Sequence, residues 1–301
     1  MRVAVLLGGR SSERDVSIKS GTAVFEALKG AGVDAVCIDV SDDPVKQIRD
    51  EKADVAFIAL HGKFGEDGTL QAMLDRENIP YTGSGPKASR LAMDKLASRQ
   101  IFEKSGVPVP KYIVMKMGAA PYFSDLSFPV VVKPNKEGSS IGLTIVSDKK
   151  DLDKALKQAF LYDDDVLVEQ LIEGEDLTVG ILDDNALPVI HIKPKSGIYD
   201  YKSKYTQGMT EYVVPADINE TNAREAQRLG LLAHKLLGCR CFSRVDIMLS
   251  KRGAMKVLEV NTIPGLTATS LLPKAAKAAG IDFARMCLIM IESVRVKVSH
   301  G

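Results

Sequence analysis

The sequence predicts a protein of mixed α/β and α+β class, built from three units that follow one another along 301 residues. Three observations predict this class. Strands and helices alternate over residues 1–94, as in a doubly wound parallel sheet. Residues 95–174 carry mostly strands with few helices, as in a small α+β domain. Residues 175–301 combine a long strand hairpin with long helices, as in an α+β domain with a large antiparallel sheet.

Composition is that of an ordinary globular protein. Hydrophobic residues make up 45% of the chain, charged residues make up 26%, and the formal net charge is +1. This charge and the mean hydropathy of -0.01 favour neither a nucleic acid nor a membrane as partner. The apolar run at 3–7 is too short for a signal peptide, and no run is long enough to cross a bilayer. The four cysteines lack zinc or redox-motif spacing, which indicates free thiols and a cytoplasmic protein.

The first unit opens with the apolar run 2–7, which is typical of a buried parallel strand. A helix is predicted over 15–29, and strands are predicted over 35–40 and 54–60. Ligands bind at the carboxyl ends of the strands in such sheets, so the loops 8–15 and 61–68 are predicted to face a binding crevice.

The second unit contains a loop with the composition of a phosphate-binding segment. Its predicted elements are a helix over 94–106, strands over 111–116, 128–133, 142–147 and 165–172, and a helix over 148–161. The stretch "VVVKPNKEGSSIG" at 130–142 supplies two lysines, two glycines and two serines. A P-loop needs its lysine after the second glycine, whereas Lys133 precedes both glycines here, so this loop is of another kind.

The third unit contains a hairpin with an unusual polar face. Its predicted elements are strands over 177–182 and 187–193, a polar loop over 196–216, a helix over 219–237, the hairpin over 241–261 and a helix over 282–298. Strand alternation places Arg244 and Asp246 on one face of the hairpin, and Glu259 and Asn261 together on one face of its second strand.

Oxygen ligands without histidine or cysteine favour Mg²⁺, usually shared with substrate phosphates. A solvated face with ion pairs is the alternative, but two carboxylates and an amide crowded beside one arginine favour a binding site. Lys95 and Lys133 suit phosphate binding, although each alone would be an ordinary surface lysine. Together these residues predict a nucleotide–Mg²⁺ site held between two antiparallel sheets.

Eight stretches are spread over nearly the whole chain. They are "LLGGRSSERDVSIKSG" (6–21), "ALHGKFGEDGTLQ" (59–71), "PYTGSG" (80–85), "MDK" (93–95), "VVKPNKEGSSIG" (131–142), "YDYKSKY" (199–205), "SRVDIML" (243–249) and "LEVNTIPGLTATSLLP" (258–273). In sequence and in order they resemble the D-alanine–D-alanine ligases of the ATP-grasp family. The resemblance implies an ATP-grasp fold with an N-terminal βαβ domain (1–94), a central domain (95–174) and a C-terminal catalytic domain (175–301).

The resemblance also implies a nucleotide site between the second and third units. The implied ATP-binding residues are Lys95, Lys133, Ser139, Glu169, Gln170, Leu171, Ile172, Asp176 and Lys204. Glu169 and the segment to Ile172 would hold the adenine, and Asp176 the ribose, where a longer glutamate is usual. Two Mg²⁺ ions, replaceable by Mn²⁺, would be held by Asp246, Glu259 and Asn261. Relatives are activated by a monovalent cation such as K⁺, which the sequence itself does not decide.

The implied reaction joins two D-alanines through an acyl phosphate, for the synthesis of peptidoglycan precursors. The catalytic residues implied by the resemblance are Glu13, Ser139, Lys204, Tyr205, Arg244, Gly265 and Ser270. The substrate-binding residues are Glu13, His61, Ser270 and Leu271. Glu13 would anchor the ammonium of the first D-alanine, and Ser270 with the Leu271 backbone would take the carboxylate of the second, since helix N-termini favour anions.

Tyr205 bears on the choice of product. In the family, Glu13, Ser139 and Tyr205 form a hydrogen-bonded triad that closes the loop 196–216 over the site. Family members that make D-alanyl-D-lactate tend to carry Phe at the place of Tyr205, so the tyrosine favours the dipeptide. Family members are also commonly homodimers.

Several alternatives stay open at the level of sequence. A dinucleotide oxidoreductase would explain the first unit, but its Gly-x-Gly-x-x-Gly motif is missing. An ATP-binding sensor without activity would not need Glu13, Arg244 and Ser270. A ligase that uses D-lactate or D-serine as second substrate is the nearest alternative. His61, a lone histidine after a buried strand, also fits a hydrogen-bonded core residue.

Overall fold

The computed structural model describes residues 1–118, 126–195, 206 and 208–298, with side chains as far as residue 294. Within this part of the chain the predicted fold class is confirmed: a parallel sheet, a small antiparallel sheet and a large antiparallel sheet follow one another. No helix of the described residues is both long enough and apolar enough to cross a membrane.

The first sheet is parallel, with the strand order β2-β1-β3. Its strands are β1 (Arg2–Leu7), β2 (Asp34–Asp39) and β3 (Val55–Ile58). The predicted helix is present as α1 (Arg14–Gly30). Three shorter helices were not predicted, namely α2 (Pro44–Asp50), α3 (Thr69–Arg76) and α4 (Pro86–Met93). The loops after β1 and β3 lie at the carboxyl ends of their strands, as expected.

The second sheet is antiparallel, with the strand order β4-β7-β5-β6. Its strands are β4 (Tyr112–Lys116), β5 (Val130–Pro134), β6 (Thr144–Val146) and β7 (Asp165–Gln170). Helix α6 (Leu152–Ala159), preceded by a 3-10 turn at Lys149–Asp151, buries Leu152, Leu156 and Ala159 against this sheet. The loop that follows β5, residues 135–142, is called the phosphate lid below.

The third sheet has the order β11-β10-β8-β12-β13, and a short strand β9 pairs with β8. Its strands are β8 (Gly174–Leu182), β9 (Asn185–Ala186), β10 (Ile190–Pro194), β11 (Thr210–Val213), β12 (Phe242–Ser250) and β13 (Met255–Asn261). Its helices are α7 (Glu220–Leu236), α8 (Leu271–Ala278) and α9 (Phe283–Val298). The prediction of one loop over 196–216 was wrong at its end, because β11 pairs there with β10.

An apolar cluster joins the first sheet to the third. Val3 and Phe57 of the first sheet share a core with Phe242 of the third sheet and Met286 of α9. Helix α5 (Lys95–Lys104), assigned from sequence to the second unit, buries Phe102 in the core of the third sheet. Helix α5 therefore packs on the third sheet, although the sequence assigned it to the second unit. The unit boundaries at 94/95 and 174/175 stay predictions.

Candidate active site

The head of α1 meets the phosphate lid. Glu13 precedes the first turn of α1, and the hydroxyl of Ser139 in the lid donates a short hydrogen bond to its carboxylate. Ser139 and Ser140 have φ values of 52° and 59°, in the left-handed region, so the lid turns sharply at this contact. Two residues of the implied triad are thus brought together, although they are 126 positions apart in sequence.

His61, in the loop after β3, forms a hydrogen bond on each side of its ring. Its Nε2 is 2.9 Å from the hydroxyl of Ser20, and its Nδ1 is 3.2 Å from a carboxylate oxygen of Glu66. Burial raises the pKa of Glu66, and the hydrogen bond with His61 opposes this shift. Both ring nitrogens already have partners, so the geometry favours an orienting role for His61 over that of a free base.

A cavity of about 300 Å³ opens between α1, the lid and α8. Its lining includes every predicted substrate-binding residue, together with further predicted catalytic and metal-binding residues. The predicted residues on its walls are Glu13, His61, Ser139, Arg244, Glu259, Asn261, Gly265, Ser270 and Leu271. We call it the substrate cavity. Its size suits small amino acids, and its walls carry both charge signs.

Ser270 stands at the head of α8, at one end of the substrate cavity. Its Oγ accepts a hydrogen bond of 3.2 Å from the backbone N–H of Thr267 and lies 2.8 Å from the Thr267 hydroxyl. Gly265 passes close by, since a Cβ at that position would lie 2.8 Å from the Ser270 Oγ. A side chain at 265 would therefore push Ser270 out of place. The head of α8 also presents backbone N–H groups that favour a carboxylate.

The hairpin of β12 and β13 forms the polar face that strand alternation predicted. Arg244 is paired in register with Asn261, and Asp246 with Glu259. Asp246 is held from several directions: Arg244 donates to both of its oxygens at 2.9 Å, and the amide nitrogen of Asn261 donates at 3.2 Å. Thr178 on the neighbouring β8 donates a further hydrogen bond of 2.6 Å.

A second, smaller cavity of about 110 Å³ separates β5 and the lid from the third sheet. Five of the predicted phosphate, ribose and metal residues share its walls: Lys95, Lys133, Asp176, Asp246 and Glu259. The third predicted metal ligand, Asn261, lines the substrate cavity instead. We call it the phosphate cavity. Glu259 also lines the substrate cavity, so the two cavities meet at the polar face of the hairpin.

Lys95 and Lys133, two of the predicted phosphate lysines, approach this cavity from a helix and from a strand. Lys95, at the start of α5, donates a hydrogen bond of 2.6 Å to the backbone carbonyl of Glu137 in the lid and lies 3.5 Å from Glu259. Lys133 on β5 forms an ion pair of 2.7 Å with Glu169. Burial lowers the pKa of Lys133, and the charge of Glu169 opposes that shift.

Glu169, predicted to hold the adenine, lies in a buried cluster of charged side chains. It is buried on β7 between Lys133 and Arg99, both of which pair with its carboxylate. Burial favours a higher pKa for Glu169, but the two cations outweigh it and hold the pKa below its usual value. Gln170 ends β7, and Leu171 and Ile172 follow in the segment that leads to β8.

Sequence reasoning missed three residues that build this site: Arg99, Glu137 and Thr178. The one available signal was the spacing of Lys95 and Arg99, four residues apart on a helix and therefore on one face. Lys204 and Tyr205, predicted to contact phosphate and to complete the triad, lie outside the described residues.

Comparisons with known proteins agree with this arrangement. The model of the D-ala D-ala ligase C-terminus matches residues 101–292, and the model of the D-ala D-ala ligase N-terminus matches residues 42–84. The chain is 46% identical, over 99% of its length and 97% of the relative's, to the D-alanine–D-alanine ligase of Geotalea uraniireducens. It is 47% identical, over 100% of its length and 98% of the relative's, to that of Pelobacter propionicus.

A solved structure shows the same fold over the whole chain. The crystal structure of the D-alanine–D-alanine ligase from Bacillus anthracis complexed with ATP aligns with a TM-score of 0.88 and 36% identity, covering 100% of both chains. Sequence, fold and the arrangement of the two cavities thus lead to one assignment: the chain belongs to the D-alanine–D-alanine ligase family.

Proposed function

We propose that the protein uses ATP to join two D-alanine molecules into D-alanyl-D-alanine, releasing ADP and phosphate. One observation carries this proposal: a cavity with the features of a phosphate site and a cavity sized for amino acids meet at Glu259. A phosphoryl group held in the first is thereby within reach of a carboxylate held in the second. The product is a precursor of peptidoglycan.

In the first step, a carboxylate oxygen of one D-alanine attacks the γ-phosphorus of ATP, and the bond to the ADP oxygen breaks. The products are D-alanyl phosphate and ADP. Catalysis of this transfer is mostly positioning and charge stabilisation. Glu13 binds the D-alanine ammonium, while Lys95, Lys133 and Lys204 hold phosphate oxygens.

In the second step, the amine of another D-alanine attacks the acyl carbon. The tetrahedral intermediate collapses, the bond from the acyl carbon to the phosphate oxygen breaks, and the attacking nitrogen loses a proton to water. Ser270 and the head of α8 hold the carboxylate of this second substrate. Arg244, a permanent forked cation on the cavity wall, stabilises the oxyanion.

The donor set of the hairpin fits Mg²⁺. Asp246 and Glu259 are opposite one another on adjacent strands, and Asn261 adds an amide oxygen. Among the described residues, no group of three or more His, Cys, Asp or Glu side chains is arranged to hold a metal ion. The two carboxylates and one amide of the hairpin are therefore the metal site that we propose. Bound Mg²⁺ ions supply charge stabilisation for the transferring phosphoryl group. Mn²⁺ is the expected substitute, and activation by K⁺ is tested by adding the salt.

Three further properties belong to the proposal. D-alanine is the second substrate in preference to D-lactate or D-serine, on the strength of Tyr205. The enzyme works in the cytoplasm, where ATP is available and its cysteines stay reduced; the described cysteines are free. It acts as a homodimer, which light scattering of the purified protein tests.

The deciding experiment measures phosphate release from MgATP with D-alanine, with L-alanine, or with D-lactate plus D-alanine, and identifies the products by mass. Release with D-alanine alone and a product of the mass of the dipeptide is the expected result. Turnover only with another amine or hydroxy acid would keep the mechanism and overturn the substrate. ATP binding without turnover on any acceptor would favour a sensor.

A further inference from the structure

Helix α5 carries two cations whose partners belong to the predicted nucleotide site, and only the first was expected from the sequence. Lys95 and Arg99 lie one helical turn apart on the same face of α5. Lys95 reaches the phosphate cavity. Arg99 is fully buried, with 0% of its side chain exposed, and its guanidinium pairs with Glu169.

Arg99 is held by charge and by an aromatic ring. Its guanidinium carbon lies 5.2 Å from the ring centroid of Tyr112 on β4, within the range of a cation–π contact. The Glu169 carboxylate and this ring are thus the contacts that hold the buried guanidinium. A buried ion pair is by itself weak evidence of a contribution to stability, because desolvation offsets the attraction, so the presence of Arg99 calls for another explanation.

The explanation lies in the charge of the cluster. Arg99 and Lys133 share the single carboxylate of Glu169, whose side chain is 5% exposed. With Glu169 alone, the charge of Lys133 would be cancelled by a buried partner 2.7 Å away. Arg99 supplies that partner with a second cation, so the cluster of three keeps one net positive charge beside the phosphate cavity. Asp246 and Glu259 line the same cavity and have cationic partners of their own, Arg244 and Lys95.

We infer that Arg99 is a positioning residue of the nucleotide site: by neutralising Glu169 it leaves the charge of Lys133 available to the phosphates of the nucleotide. This inference rests on the proposed function in that it takes the phosphate cavity to bind a nucleoside triphosphate. It assigns no contact between Arg99 and the nucleotide.

The test compares Arg99→Met with the wild-type enzyme by calorimetric binding of MgATP, MgADP and adenosine. The substitution should weaken MgATP and MgADP about tenfold, since one buried unit charge near the phosphates is removed. Adenosine, measured by competition, should bind as it does to the wild type, because it has no phosphate. Arg99→Lys, which keeps the charge, should restore most of the affinity for MgATP.

The melting temperature is an independent test. A purely structural role for Arg99 would lower the melting temperature of Arg99→Met, whereas the positioning role does not. In Arg99→Met, Glu169 still has Lys133 as partner, so the melting temperature without nucleotide should stay the same or rise. The matched control is Lys104→Met, which removes an exposed cation from the same helix and should change MgATP affinity by less than about twofold.

Three results would overturn the inference. The first is wild-type affinity for MgATP in Arg99→Met, and the second is an equal loss for adenosine, which would place the effect at the base. The third is a variant that unfolds or melts earlier, which would make Arg99 structural. Failure of the proposed function is separate, because it would appear as a wild-type enzyme that binds MgATP without making the dipeptide.

Discussion

Asp246 shows how a single side chain depends on its neighbours in this protein. Arg244, Asn261 and Thr178 all donate to its carboxylate, which fixes both oxygens against the polar face of the hairpin. A carboxylate held in this way is preorganised for a cation, because little rotamer freedom is left to lose on binding. The energetic importance of the residue should therefore appear in catalysis.

Replacing Asp246 by Asn should lower kcat by about 100-fold or more, because a bound metal supplies several kcal/mol of charge stabilisation. The Mg²⁺ concentration needed for half-maximal activity should rise as well. Steady-state assays over a Mg²⁺ titration measure both effects. Lys256→Gln, on the same hairpin but outside both cavities, is the control and should behave as wild type. Unchanged Mg²⁺ dependence in Asp246→Asn would exclude Asp246 as a metal ligand.

At the scale of elements, α1 must pack closely on β1 in order to place Glu13. Gly21 makes this approach feasible: a Cβ there would lie 2.4 Å from the Cβ of Leu7. Gly30, at the other end of the same helix, is exposed and has open space around it. Alanine substitutions at these two glycines of α1 should therefore change the stability of the protein in opposite directions.

Gly21→Ala should destabilise the protein by about 1–3 kcal/mol, the usual cost of overpacking a core. Gly30→Ala should stabilise it by about 0.5–1 kcal/mol, since alanine loses less backbone entropy in a helix. Urea unfolding of both variants measures the difference. Because α1 carries Glu13, Gly21→Ala should also raise the KM for D-alanine, while Gly30→Ala should not. Equal stability of the two variants would contradict the close packing.

The elements also show which features a sequence can predict. The polar face of β12 and β13 was predictable because side chains alternate along any strand. Strand β11 was not predicted because its sequence, TEYV, lies in a polar stretch and forms a strand only by pairing with β10. Arg99 could not be predicted because its partner, Glu169, is far along the chain. Glu137 could not be predicted because it contacts Lys95 through its backbone carbonyl, which any residue has.

At the scale of the whole molecule, one buried histidine links stability to pH. His234 on α7 is fully buried, and its Nδ1 lies 2.7 Å from the hydroxyl of Ser243 on β12. Burial lowers its pKa to about 4, although the carboxylate of Asp184 acts in the opposite direction. Between pH 6.5 and about 4 the unfolded chain therefore binds a proton that the folded protein does not.

The free energy of unfolding should fall as the pH drops through this window, by about 1.4 kcal/mol per pH unit from His234 alone. Above pH 6.5 this histidine should have no effect, because it is neutral in both states. Urea unfolding of the wild type and of His234→Gln between pH 7 and 4.5 measures the contribution as a difference in slope. Parallel curves for the two proteins would show that His234 is not the group involved.

The core shared by the first and third sheets has a consequence for the making of this protein. Val3, Val5 and Phe57 belong to strands that are synthesised first, yet Met286 and Met290 of α9 complete their cluster. Translation at about 5–20 residues per second leaves roughly 10–50 s between the synthesis of these strands and that of α9. During that interval the nascent sheet keeps apolar surface that its own neighbours do not cover. Protection by a chaperone should matter most in this interval, while the hairpin of β12 and β13 is still being synthesised.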